Sequence, residues 1–296
     1  MRRSAWLLAL LLTAPGAHAR KHKPRVKGPP PARAEDDPRK KGDDKAFAGA
    51  AVSFDSPGDQ AEVAEGDLRV ELKVEGYALG KGPHLHLIVD NEPAFQLDDV
   101  ATPLLLRGLV RGPHLLRAVL CRPWHEVVKA PRAFAMTRIW VGKRLTGKAG
   151  HAAEYVAWPD PHKPLLTYVL PVGKASEDFQ LFRAPAEAAH PEDGGTPDAD
   201  EPAAPPAEPQ PIAPHAGAEK PLLDFYLSNA KIARRGSKIR VVLDKRELPL
   251  LTEWKPVHLR RAHPGAHKIT IDLLDRRGLK VKNAVNRSDR AFTSGN

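Results

Sequence analysis

Four histidines offer the most concentrated chemistry in the chain. His84 and His86 stand two apart in His84-Leu85-His86-Leu87-Ile88-Val89. Residues two apart in a strand project from one face, so both imidazoles can reach the same ion. His114, just after a Gly-Pro turn, and His125, in Trp124-His125-Glu126, can complete the set if their strands are neighbours. A site of three or four imidazole nitrogens suits copper or zinc. The competing reading has these side chains as partly exposed strand and loop histidines bonded to backbone, with no cofactor.

A second constellation is basic. Where the first half carries His84 and His86, a similar stretch of the second half carries Lys238 and Arg240. With Arg234, Arg235, Arg260, Arg261 and Lys268 they could face a phosphate, a carboxylate or an acidic polysaccharide. An anionic component of the cell envelope, or another envelope protein, is the partner this set suits. Nucleic acid is not indicated, because no nucleic-acid-binding motif is present. Trp124, Trp140 and Trp254 could stack a sugar, but the commoner role for such residues is a core or rim aromatic of a sandwich.

Catalysis is not indicated. The chain has no Gly-x-Ser-x-Gly elbow, phosphate-cradling glycine loop or His-Glu-x-x-His helix. Its single cysteine, Cys121, excludes an intrachain disulfide and a Cys-rich metal module. Closing the apolar run Leu115 to Leu120, it is expected to be buried.

The elements that must position these residues read as β. Leu68 to Val74 alternates apolar and charged, the period of a strand with one wet face. His84 to Val89, Leu115 to Leu120 and Phe134 to Val141 are further strands, separated by Ser56-Pro57-Gly58, Gly80-Lys81-Gly82-Pro83 and Arg111-Gly112-Pro113. The expected fold is all-β: two immunoglobulin-like antiparallel β-sandwiches joined by a disordered acidic Pro/Ala-rich linker. Duplication is visible, since Lys238 to Asp244 resembles His84 to Asp90, and Gly265-Ala266-His267 resembles Gly112-Pro113-His114.

Composition sets the boundaries. The chain has 296 residues, 30 of them Pro, and a formal charge of +10. Residues 1–19 carry Arg2 and Arg3, an apolar run and Ala17-His18-Ala19, the plan of a signal peptide cleaved after Ala19. That run is too short to span a bilayer, and no Cys follows the cleavage site to accept a lipid. A periplasmic or secreted protein is expected. Residues 20–45 form a basic leader too poor in apolar side chains to fold. Residues 46–184 form the first module and 185–220 the linker, with nine Pro and eight acidic residues. Residues 221–296 form the second module, where 17 basic residues face 7 acidic ones. The strand-like pieces Pro164 to Tyr168 and Pro221 to Tyr226 flank the linker and could edge either module.

Pro83 to Asp90, Gly112 to Arg117 and Arg122 to Glu126 in the first module, with Leu222 to Ala230, Lys238 to Asp244, Glu253 to Pro256, Pro264 to His267 and Leu273 to Asp275 in the second, carry a wider similarity. On these residues the chain resembles a group of bacterial exported proteins with paired immunoglobulin-like modules, sometimes labelled phosphopeptide-binding. The first module is also similar to small exported domains with a His-rich strand and a Gly-x-His turn. The resemblance implies a fold more than a chemistry, and the role expected from the sequence itself is that of an exported, non-enzymatic binding or scaffolding protein. It implies no cofactor or catalytic residue.

Overall fold

The structure is a computed structural model that describes residues 47–174, 177–184, 208–212 and 221–295. The expected signal peptide, the expected basic leader and most of the expected 185–220 linker lie outside the described residues. Among those described, no helix is long and apolar enough to cross a membrane.

The first sandwich opens with β1 (Ala51–Ser56), β2 (Ala61–Val63), β3 (Leu68–Glu75), β4 (His84–Val89), β5 (Phe95–Leu97) and β6 (Leu104–Arg107). It continues with β7 (Gly112–Cys121), β8 (Phe134–Val141) and a single helix, α1 (Gly147–Ala157). Then follow β9 (Leu165–Leu170), β10 (Gln180–Arg183) and β11 (Gln210–Pro211). The second half adds β12 (Leu222–Ser228), β13 (Lys238–Leu243), β14 (Arg246–Glu247), β15 (Val257–His258), β16 (Gly265–Leu274) and β17 (Arg287–Ser294).

One sandwich packs the sheet β1-β3-β6-β10 against β11-β5-β4-β7-β8-β2, and the other packs β15-β12-β9 against β14-β13-β16-β17. Among the described residues the fold is all-β apart from α1, and the named strands pair antiparallel except β2 with β8. Leu85, Leu87 and Val89 point into the first core beside Val70, Leu104 and Leu106, while Ile239, Val241, Ile269 and Ile271 fill the second with Phe225. Alternation alone selects these faces.

Two boundaries differ from the sequence reading. β9 precedes the linker yet pairs with β12 beyond it, Tyr168 opposite Phe225, so the second sandwich borrows a strand from the first segment. A 76-residue segment hides too little apolar surface alone, and the borrowed strand supplies more. Pro209 to Ile212, expected in the linker, instead holds β11 on the edge of β5, with Ile212 buried in the first core.

A further correction concerns His84 and His86, which the competing sequence reading makes partly exposed. Every residue of β4 is buried. The reason is the second sandwich: Tyr226 stacks on Phe134 at 4.9 Å and donates to the Ala130 carbonyl at 2.6 Å, and Asn91 meets Ser288 at 3.0 Å. Arg117, fully buried on the same face, donates to Thr167 Oγ1 and Asn91 Oδ1, both at 3.2 Å, and to the Asp90 carbonyl. Burial, with repulsion from Arg290, pulls its pKa down to about 9 against the pull of Asp90.

The duplication survives in three dimensions as a matched pair of latches. His114 Nδ1 donates to Asp90 Oδ2 at 2.9 Å and Nε2 to the Val110 carbonyl at 2.7 Å. His267 does the same with Asp244 Oδ2 at 2.6 Å and the His263 carbonyl at 2.5 Å. Asp90 and Asp244 also accept from the backbone N–H of Leu115 and Lys268, each at 2.9 Å. Both rings face two acceptors, which favours the doubly protonated imidazolium. Burial opposes the charge, but the carboxylate and the carbonyl outweigh it, so both pKa values are raised. A raised histidine pKa stabilises fully below the unfolded value, near 6.5, and the contribution is lost as pH rises through the folded value. Asp244 is lowered, so its share is present above about 4 and is lost on acidification. Urea midpoints of the wild-type chain should therefore fall between pH 6 and pH 8.5, as measured by tryptophan fluorescence. His114→Asn/His267→Asn should flatten that fall; an equal fall in both proteins would remove the latches as its source.

Candidate metal centre

The ladder between β4 and β7 sets the site. His84 lies opposite Cys121 and His86 opposite Val119. Directly opposed residues share a face, and alternation puts His84, His86 and Cys121 on one side of the sheet. All three are buried, at 1%, 0% and 0% exposure. Their ligand atoms lie within 4.8 Å of one another.

A fourth side chain arrives from the turn after β7. Arg122 N donates to the Glu126 carbonyl at 2.8 Å and His125 N to the Arg122 carbonyl at 2.9 Å, a closed turn that leaves His125 at φ 64°. The second sandwich builds the same turn, with Asp275 N bonded to the Leu279 carbonyl at 2.8 Å and Gly278 N to the Asp275 carbonyl at 3.0 Å. Gly278, at φ 84°, occupies the position His125 occupies in the first. Left-handed backbone is native to glycine and costs other residues of order 1 kcal/mol or more. The first module thus keeps a strained histidine where its twin keeps a glycine.

That strain aims the ring at the pair. His84 Nε2 lies 3.0 Å from His86 Nε2, which lies 3.2 Å from His125 Nδ1. His84 Nδ1 lies 2.7 Å from the Gly82 carbonyl, an acceptor, so Nδ1 carries the proton and Nε2 presents its lone pair. His86 Nε2 has at most one hydrogen to share between two nitrogen neighbours. One cation among the three nitrogens satisfies all of them. Nitrogens bound to a tetrahedral zinc at about 2.0–2.1 Å stand roughly 3.3–3.4 Å apart, within a few tenths of these separations. The bond from His84 to Gly82 is also the usual outer-shell contact that fixes a ligating imidazole.

The electrostatics favour neutral donors. Burial lowers the pKa of His84, against the Gly82 carbonyl and the Asp98 charge. Burial and the neighbouring Asp224 push the Cys121 thiol well up, with Lys129 opposing. The nearby carboxylates are engaged elsewhere. Asp98 accepts from Gln96 at 2.8 Å and Glu126 from the Trp124 indole at 2.8 Å. Asp224, fully buried on β12, accepts from Val127 N at 2.8 Å and Lys129 Nζ at 3.0 Å. The second sandwich therefore clamps the far end of the loop that carries His125.

Of the four histidines singled out by sequence, His84, His86 and His125 converge and His114 does not. His114 stands at the opposite end of β7 from Cys121, some seven residues or about 23 Å of strand away. Both of its nitrogens donate, leaving no lone pair for a metal. The signal for this was present in the repeat: His267 holds the matching position in a module with no histidine pair.

The seven basic residues do not meet at one point. Arg240 is held by Glu247 and Asp272, both at 2.9 Å, and Lys238 donates to the Gly236 carbonyl at 3.1 Å. Arg234 and Arg235 are exposed in the turn before β13, while Arg260 and Arg261 follow β15. Lys268 lies at the end of the β13–β16 ladder remote from Lys238, about 20 Å along the strands. Trp140 is 1% exposed and cannot stack a sugar, and Trp254 donates to the Phe225 carbonyl at 3.0 Å. Sequence reasoning missed Cys121 as a member of the site, as well as Asp224 and Lys129 behind it. Only the strand register could reveal them.

No protein-family model matches the chain, and no curated protein matches it. Among solved structures, the fibronectin(III)-like modules of Clostridium thermocellum CbhA align over 82% of this chain and 94% of their own, with 12% identity and a TM-score of 0.26. SGBP-B of a Bacteroides ovatus mixed-linkage glucan utilization locus, solved in complex with a mixed-linkage heptasaccharide, aligns over 82% of this chain and 70% of its own. Its identity is 11% and its TM-score 0.20. The fold assignment rests on the sheets themselves.

Proposed function

We propose that this chain is an exported, non-enzymatic protein that binds one transition-metal ion, copper or zinc, through His84, His86 and His125. The observation that carries the reading is His125: a residue held in left-handed backbone where the duplicate turn has glycine, with its Nδ1 3.2 Å from His86 Nε2. Conformational strain of this kind persists where a side chain is needed in one place. The absence of a hydrolase or phosphate-binding motif supports a binding role over a catalytic one, and residues 1–19 support export.

The test is metal content at equilibrium. The mature chain from Arg20, dialysed against buffered zinc and, under nitrogen, against copper(I), should retain one ion. His84→Ala/His86→Ala should hold it at least 100-fold more weakly, while His114→Gln matches the wild type. Equal retention by the double variant would end the proposal.

A further inference from the structure

Resting on that metal-binding reading, we infer that Cys121 is the fourth ligand and that the site takes a thiophilic d10 ion, zinc or copper(I), in a closed coordination shell. The β4–β7 register sets Cys121 directly across from His84, with its sulfur within 4.8 Å of the His84 and His86 ligand nitrogens. A tetrahedral ion with bonds of about 2.1 Å to nitrogen and 2.3 Å to sulfur needs those atoms roughly 3.5 Å apart. The difference is at most about 1.3 Å, within reach of side-chain rotation.

The rest of the donor set agrees. His84, His86 and Cys121 are each 1% exposed or less, and the partly exposed His125 reaches the cluster from the loop, so three imidazoles and one sulfur would fill the four positions of a tetrahedral ion. The carboxylates nearby are committed to Gln96, Trp124, Lys129 and the Val127 amide, which leaves nitrogen and sulfur as the donors. Thiolate and imidazole favour zinc and copper(I), whereas manganese and magnesium require oxygen. On binding, the Cys121 S–H bond breaks, a sulfur–metal bond forms and the proton leaves to solvent. The second sandwich retains no such site, because the position matching Cys121 is Leu274 and the position matching His125 is Gly278. Four protein ligands hold an ion and leave no coordination position for substrate.

Cobalt(II) reads both claims separately. With the mature chain reduced and under nitrogen, one equivalent should give intense visible d–d bands of a tetrahedral ion together with a near-ultraviolet sulfur-to-cobalt charge-transfer band. Cys121→Ser and Cys121→Ala should lose the charge-transfer band and bind zinc at least 100-fold more weakly, while still binding cobalt through histidine. Copper X-ray absorption of the wild type, which needs no variant, should show sulfur in the first shell. Cobalt bound without the sulfur band, or copper with nitrogen neighbours alone, would overturn the role of Cys121 and leave the histidine site standing. A wild-type chain that takes up neither cobalt, zinc nor copper(I) would overturn the histidine site itself, and this inference with it.

Discussion

Saturating zinc should raise the melting temperature of the wild-type chain by on the order of 10 °C and leave that of His84→Ala/His86→Ala unmoved. An ion that binds only the folded state stabilises it by RT ln(1 + [L]/Kd), about 4 kcal/mol at a thousandfold excess over Kd. For a folded unit of about 200 residues each kcal/mol moves the midpoint by roughly 2–4 °C. His125→Gly sharpens the expectation, because it removes a ligand and relieves strain in one step. Without metal this variant should melt no lower than the wild type: the strain returned, of order 1 kcal/mol, offsets the larger unfolded entropy of glycine. With zinc it should gain less than half the wild-type shift. Differential scanning fluorimetry across a zinc series reads all three proteins. If His125→Gly is less stable without zinc yet shifts fully with it, His125 is a structural residue and the site loses its third nitrogen.

Asp224→Ala should cost about 3–5 kcal/mol in urea unfolding, the penalty for breaking a buried ion pair from one side. Asp224 is fully buried and Lys129 nearly so, with Nζ 3.0 Å from the carboxylate and only Glu126, at 3.8 Å, as a second anion. Burial raises the pKa of Asp224, while Lys129 and the Val127 amide hold it back. Truncation removes the carboxylate from the ammonium and from the Val127 and Phe225 N–H groups, so three donors lose that acceptor at once. Asp224→Leu/Lys129→Met should recover the part of the loss that comes from the stranded ammonium, because an apolar pair carries no charge to desolvate, while the Val127 and Phe225 N–H groups stay without that acceptor. The single variant should also weaken metal binding about 10–100-fold, since it releases the loop that aims His125. A loss below 1 kcal/mol in the single variant would show that the clamp is not what joins the two sandwiches here.

Much of the fold was legible before any coordinates. Leu85, Leu87 and Val89 alternate with His84, His86 and Ile88, so strand character and the core-facing side followed from period alone. The duplicated Gly-x-His turn also predicted a repeat that the structure builds as the Asp90–His114 and Asp244–His267 latches. The site was half legible. Spacing joined His84 to His86, but local pattern could not separate His125, which turns inward, from His114, which spends both nitrogens on acceptors. Cys121 was readable as buried and not as a neighbour of His84, because register is a property of two strands together.

What the sequence determined by itself was therefore local: the β period, the paired histidines, the glycine-bearing turns and the charge surplus of the second half. What tertiary structure decided was which of these meet. The exchange of β9 across the linker, the burial of β4 on both faces and the anchoring of the 125–129 loop by Asp224 depend on contacts between residues as far as 197 positions apart. Such contacts are selected by the apolar area and the hydrogen bonds that the whole assembly satisfies together, a sum that no window along the chain contains.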